Sequence, residues 1–137
     1  QWFSDGGLFS GMGGKVIGSF CSYLSYSRIV KPDRYVIGAM GIPGEIPSLG
    51  SLGRDYWKIS VRVPRRLAAR IEKGEMPPAS WMLVKAAESF GGFADGHSVA
   101  ASGVIPKNGL EAFIECLEKT VVGWPGKGSG LGLDRFL

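Results

Sequence analysis

The stretch from Gly91 to Gly103, Gly-Gly-Phe-Ala-Asp-Gly-His-Ser-Val-Ala-Ala-Ser-Gly, holds the only histidine of the chain, His97. It reads as a loop leading into a helix. Gly91, Gly92, Gly96, Ala100 and Ala101 carry almost no side chain, so this backbone can approach another group very closely. Phosphate is a suitable partner: amides at a helix start point outward, the helix dipole favours negative charge, and an imidazole adds a donor. The same residues would also build a tight turn around a histidine with ordinary partners.

A second set of anion-binding side chains lies upstream. Between Tyr56 and Val63, Trp57, Ile59, Val61 and Val63 alternate with Lys58, Ser60 and Arg62. The alternation predicts a strand with one apolar face and one face carrying two cations and a hydroxyl. Arg65, Arg66 and Arg70 follow within two helical turns. A guanidinium can grip a phosphate with two parallel hydrogen bonds, and the amides near Gly96 and His97 could take the remaining oxygens. The arginines at 65, 66 and 70 also fit a solvated helix face, and Arg62 could instead pair with a helix carboxylate.

The chain offers little for catalysis. Its acids are dispersed, no His/Asp cluster has metal-ligand spacing, and no nucleophile elbow is present, which argues against metal-dependent hydrolysis by this chain alone. Cys21 and Cys116 are far apart and read as buried thiols of a reducing cytoplasm, with neither metal-ligand nor disulfide spacing.

The elements that must position these residues follow from periodicity and punctuation. Lys15 to Val30 reads as a helix with Val16, Phe20, Tyr23, Leu24 and Ser27 on one side and Pro32 beyond its end. Arg34 to Met40 suits a buried strand, and Gly41 to Asp55 a long connection. After the strand that Pro64 stops, Arg65 to Lys73 is expected as a short helix closed by Gly74, with Leu67, Ala68 and Ile71 inward. A second helix is expected over 79–90 and a strand over Ser102 to Ile105. Asn108 and Glu111 have capping-box spacing for a last helix, whose stripe is Leu110, Phe113, Ile114, Leu117 and Val121. The order predicts an α/β domain with a single mixed sheet and helices packed on it.

One domain is the expectation for 137 residues, and 45% apolar residues suffice for a core. The compact unit is placed at 15–122, with a lead-in segment at 1–14 and a Gly-rich extension at 123–137. No apolar run is long enough to cross a bilayer and no signal peptide is evident, so a cytoplasmic location without membrane attachment is expected. A chain opening on Gln1 is read as a fragment or processed product. Trp2, Phe3, Leu131, Leu133, Phe136 and Leu137 are then candidate stubs of contacts with a missing domain or partner. The net charge of +4 is compatible with an anionic partner without requiring one.

The series Lys58-Ile-Ser-Val-Arg62, a helix pair, and then Gly91-Gly-Phe-Ala-Asp-Gly-His97-Ser-Val-Ala-Ala-Ser-Gly103-Val-Ile-Pro106 resembles the C-terminal DHH-associated domain of the DHH phosphoesterases. The RecJ-like single-strand exonucleases, above all the archaeal ones, are most similar. The resemblance covers roughly Gly6 to Val122, and its glycine–histidine loop is the most specific part. It implies a substrate-binding half. The manganese-binding Asp-His-His half is absent from this chain, which is expected to hold no cofactor of its own. Carried over, phosphate contacts fall on Arg62 and His97, with Ser60 and Gly96 as neighbours and Arg65 and Arg66 adding non-specific attraction. The implied role is binding of single-stranded nucleic acid, chiefly DNA, in replication or repair.

Two departures stand out. Where the family has Gly-Gly-Gly-His, this chain has Ala94-Asp95-Gly96-His97, placing a carboxylate where phosphate is expected. The family's Ala-Ala-Gly becomes Ala100-Ala101-Ser102. Two kinds of parent protein are therefore open. One is an active manganese-dependent exonuclease or nucleotide phosphoesterase. The other is a non-catalytic relative acting as an interaction module in a helicase assembly, with GINS or other replisome proteins as partners.

Overall fold

The computed structural model describes residues 1–6, 13, 15–42, 45–46, 50–51, 55–107 and 109–125. Among these residues, seven strands and four helices run in the order β1 (Trp2–Ser4), α1 (Lys15–Ser25), β2 (Val36–Ile42), β3 (Glu45–Ile46), β4 (Gly50–Ser51), β5 (Tyr56–Arg62), α2 (Arg65–Glu72), α3 (Ala79–Ser89), β6 (Phe93–Gly96), β7 (Ala100–Pro106) and α4 (Leu110–Val122). Five strands form one mixed sheet in the order β1-β2-β5-β7-β6, with β1 parallel to β2 and the other neighbours antiparallel. The short β3 and β4 pair with each other apart from it, within the expected long connection. The chain is thus an α/β domain with helices on a single mixed sheet of five strands.

The sheet reaches beyond the expected unit 15–122, because Trp2–Ser4 supplies an edge strand. A three-residue strand carries too short a pattern to separate from the glycine-punctuated lead-in. The expected cap at Asn108 lies outside the described residues, as does the extension from 126 onward. Gly109, with φ of 73°, occupies the N-cap position of α4 and offers no side-chain oxygen.

Each sheet face has its own core. Ile37, Ala39, Ile59, Val61, Ala101 and Ile105 point to one side, where they meet Leu67 and Ile71 of α2, Met82, Leu83, Ala86 and Ala87 of α3, and Phe113, Ile114 and Leu117 of α4. Removing these side chains from water is the main stabilising contribution of the fold. On the opposite side α1 lies over β2 and β5, burying Ile17 and Cys21 against Val36 and Met40.

Helix α1 ends at Ser25, five positions before the expected Val30, and presents a different face from the expected one. Its buried residues are Ile17, Gly18 and Cys21, while Tyr23 is 68% exposed. The helix sets its narrow, small-residue side on the sheet. A Cβ at Gly38 would come within 2.5 Å of Cys21 Sγ and 2.9 Å of Phe3 Cζ, so the bare backbone there admits the helix. Phe20 instead packs edge-on against Phe3 at the rim, ring centroids 5.6 Å apart. Among the described residues no helix is long and apolar enough to cross a membrane.

Candidate phosphate-binding cavity

The alternation in β5 holds, and its polar face is partly covered, with Lys58 and Arg62 half-buried. Ile59 and Val61 are fully buried toward α2–α4, and Ser60 is only 1% exposed on the other side, beneath α1. Register extends this second face into rows across the sheet. Gly38, Ser60, Ser102 and Asp95 stand in one row, Val36, Arg62 and Ala100 in the next, and Met40, Lys58, Val104 and Phe93 in the third.

Between α1 and these rows lies a cavity of about 270 Å³. Lys15, Gly18, Ser19 and Ser22 line it from the helix, and Lys58, Ser60, Arg62 and Ser102 from the sheet. Three cations and four hydroxyls therefore converge on one space, and among the described residues no carboxylate lines it. Helical spacing explains the upper wall: positions 15, 18, 19 and 22 share one side of α1. Strand alternation explains the lower one, since 58, 60 and 62 share one side of β5.

Arg62 is fixed by neutral partners. Its Nε donates to Ser22 Oγ at 2.8 Å, and its Nη1 donates to the carbonyls of Val61 at 2.9 Å and Ala101 at 3.3 Å. No carboxylate pairs with it among the described residues, where the one ion pair joins Arg70 to Glu75. Nη2 points under α1: a Cβ on Gly18 would lie 2.8 Å from it and 3.4 Å from Ser60 Oγ. Ser60 Oγ is buried and has no hydrogen-bond partner among the described residues. A buried hydroxyl without a partner costs stability. The neighbouring Cys21 thiol, whose Sγ donates weakly to the Ser60 carbonyl at 3.9 Å, is pushed up to about 12 by burial, against the opposing pull of the Arg62 charge.

The glycine–histidine stretch takes a form different from the expected loop-to-helix junction. It is a β-hairpin, with β6 and β7 joined by His97, Ser98 and Val99. The His97 amide donates to the Ala100 carbonyl at 2.8 Å and so closes the turn. The helix start that could have held phosphate belongs to α3, and the turn itself occupies it. The amides of Ala79 and Ser80 donate to the carbonyls of Ser98 and His97, at 2.9 and 3.2 Å. Gly96 is needed for strand approach: at φ 148°, a Cβ there would sit 2.5 Å from Ala101 Cα. Alternating small residues were compatible with this edge strand, but the glycine run obscured the period of two.

Of the expected site residues, Arg62 and Ser60 line the cavity. His97 and Gly96 are exposed at the hairpin end and do not line it. Arg65 and Arg66 lie exposed on α2, at the end of the sheet where the His97 turn also lies, since the Val63 amide donates to the Val99 carbonyl at 3.0 Å. Asp95, in the row of Ser60, stands two strands away, about 10 Å by strand spacing, so its carboxylate is outside the cavity. Sequence reasoning missed Lys15, Ser19, Ser22 and Ser102; the signal for the first three was their spacing around Gly18. Among the described residues no group of three His, Cys, Asp or Glu side chains could hold a metal ion.

No family model matches the chain. No curated protein matches it either. Among solved structures it is similar to the C-Ala domain of alanyl-tRNA synthetase from Aquifex aeolicus, with a TM-score of 0.59 over 90% of this chain and 88% of that one. Sequence identity is 11%, so the similarity is one of fold.

Proposed function

We propose that this chain is a nucleic-acid-binding domain that grips a backbone phosphate of a single strand in the cavity between α1 and β5. One observation carries the reading: among the described residues, Lys15, Lys58 and Arg62 converge with the unpartnered, buried hydroxyl of Ser60 on a space lined by no carboxylate. A half-buried guanidinium held in place, as Arg62 is by Ser22 and two carbonyls, binds an anion more strongly than the same group on an open surface. Arg65, Arg66 and His97, at one end of the sheet, would add salt-sensitive attraction for neighbouring phosphates.

The resemblance of Lys58–Arg62 and 91–106 to the DHH-associated domain supports assigning the domain to a RecJ-like protein acting on single-stranded DNA in replication or repair. Phosphodiester hydrolysis with manganese would then belong to a domain outside this chain.

The test is fluorescence anisotropy with a labelled, 5′-phosphorylated single strand across a salt series. Affinity is expected to fall with salt, and Arg62→Ala to weaken binding about tenfold or more, the loss of a charge-assisted pair. Arg65→Ala and Arg66→Ala should each cost less and lower the salt slope by about one. Absence of binding at low salt, or an Arg62→Ala variant equal to the parent, would overturn the reading. It would leave the helicase-assembly module, with GINS as the partner to try first.

A further inference from the structure

Among the described residues, helix α1 packs on β2 and β5, and no helix packs comparably on β7 and β6 on the same face. On that open half, Ala100, Ser102 and Val104 of β7 are half-buried, while Phe93 and Asp95 of β6 are exposed. Ala94, between them, packs into the opposite core, which fixes the direction of Phe93 toward the cavity side of the sheet. Register places Phe93 opposite Val104, and Val104 opposite Lys58, which lines the cavity. Along this one row a cation gives way to an aliphatic step and then to an aromatic ring.

Phe93 is 71% exposed. Two other exposed aromatics near this face have ring partners: Phe20 meets Phe3 edge-on and stacks on Tyr23. Phe93 makes no ring contact among the described residues. Its strand stands two spacings from that of Lys58, about 10 Å, so a base seated there would adjoin the cavity.

We propose that the open β7–β6 half of this face seats an unpaired nucleobase, stacked on Phe93, while the phosphate of the same strand occupies the cavity. The inference rests on the phosphate reading and extends it from an anion to a nucleotide unit. Every base has a stacking face, so the seat tolerates any sequence. A base locked in a duplex cannot present that face, so the seat selects single strands. Asp95, in the neighbouring row, keeps further phosphates off the β6 edge and directs the backbone toward the cavity.

Anisotropy on the full chain with three probes tests this: a 5′-phosphorylated single strand, an abasic strand of equal length and phosphate count, and the duplex. Phe93→Ala is expected to weaken binding of the base-bearing strand about tenfold and to leave the abasic strand unchanged, and Phe93→Trp should restore the loss. The duplex should bind the parent more weakly than the single strand. If Phe93→Ala binds the base-bearing strand as the parent does while Arg62→Ala still loses affinity, the base seat is refuted and the phosphate site stands. If the parent binds neither strand, both readings fall.

Discussion

Ser60→Ala separates stability from binding in opposite directions. The Ser60 hydroxyl is removed from water and has no partner among the described residues, a situation that costs about 1–3 kcal/mol. Deleting the oxygen relieves that cost and forfeits only its modest packing, so the variant should be more stable by about 1 kcal/mol. For 137 residues, at about 2.1 cal/mol/K of unfolding entropy per residue, that raises Tm by about 3–4 °C. Binding should move the other way, because a hydroxyl donating to a phosphate oxygen contributes about 1.5–3 kcal/mol, roughly a 10- to 150-fold loss of affinity when removed. Differential scanning calorimetry of the free protein and anisotropy with the phosphorylated strand read the two effects. A Tm at or below that of the parent would show that the hydroxyl is already satisfied in the folded chain, and unchanged affinity would show that it does not face the ligand; either result refutes the reasoning.

Gly18→Ala adds one methyl whose nearest neighbour is Arg62 Nη2 at 2.8 Å, the far end of a flexible side chain. The helix gains about 1 kcal/mol of propensity, offset by displacement of the guanidinium from its partners, so Tm should change little while phosphate affinity falls at least tenfold; a cooperative fold with parental affinity would remove Arg62 from the site. Burial raises the pKa of both the Cys21 thiol, to about 12, and the Tyr35 phenol, so above pH 9.0, the ordinary thiol value, the folded state binds more protons than the unfolded one. Stability is then complete below that range and falls as pH rises toward 12, by at most about 1.4 kcal/mol per pH unit for each group. Urea midpoints along the alkaline limb should show this slope, reduced in Cys21→Ala, and a midpoint independent of alkaline pH would contradict it.

The strand that carries the site was legible because its alternation is strict: Trp57, Ile59 and Val61 against Lys58, Ser60 and Arg62 reproduce the two faces of β5. Helices α2, α3 and α4 were legible for the same local reason, their buried positions Leu67, Ile71, Met82, Leu83, Phe113, Ile114 and Leu117 recurring at helical spacing. What lies above the polar face of β5 could not be read from β5 itself. It depends on which side of α1 meets the sheet, and hydrophobicity pointed to the wider aromatic stripe with Phe20 and Tyr23. Close packing decided otherwise, since Gly18 and Cys21 can approach Gly38 where rings cannot.

The histidine segment was misread for a related reason. A glycine cluster states that a backbone must come close to something, and the sequence does not name the something. Here Gly96 admits β7 and the turn admits the start of α3, so the neighbour is the protein's own chain. The amides that would have made an anion nest are thereby spent, and the burden of anion recognition passes to side chains. That shift makes the candidate site depend on charge convergence: Lys15, Lys58 and Arg62 around one unpartnered hydroxyl. A site of this construction loses affinity in discrete steps as each donor is removed, whereas one built from backbone amides would resist every side-chain substitution except those that unfold it.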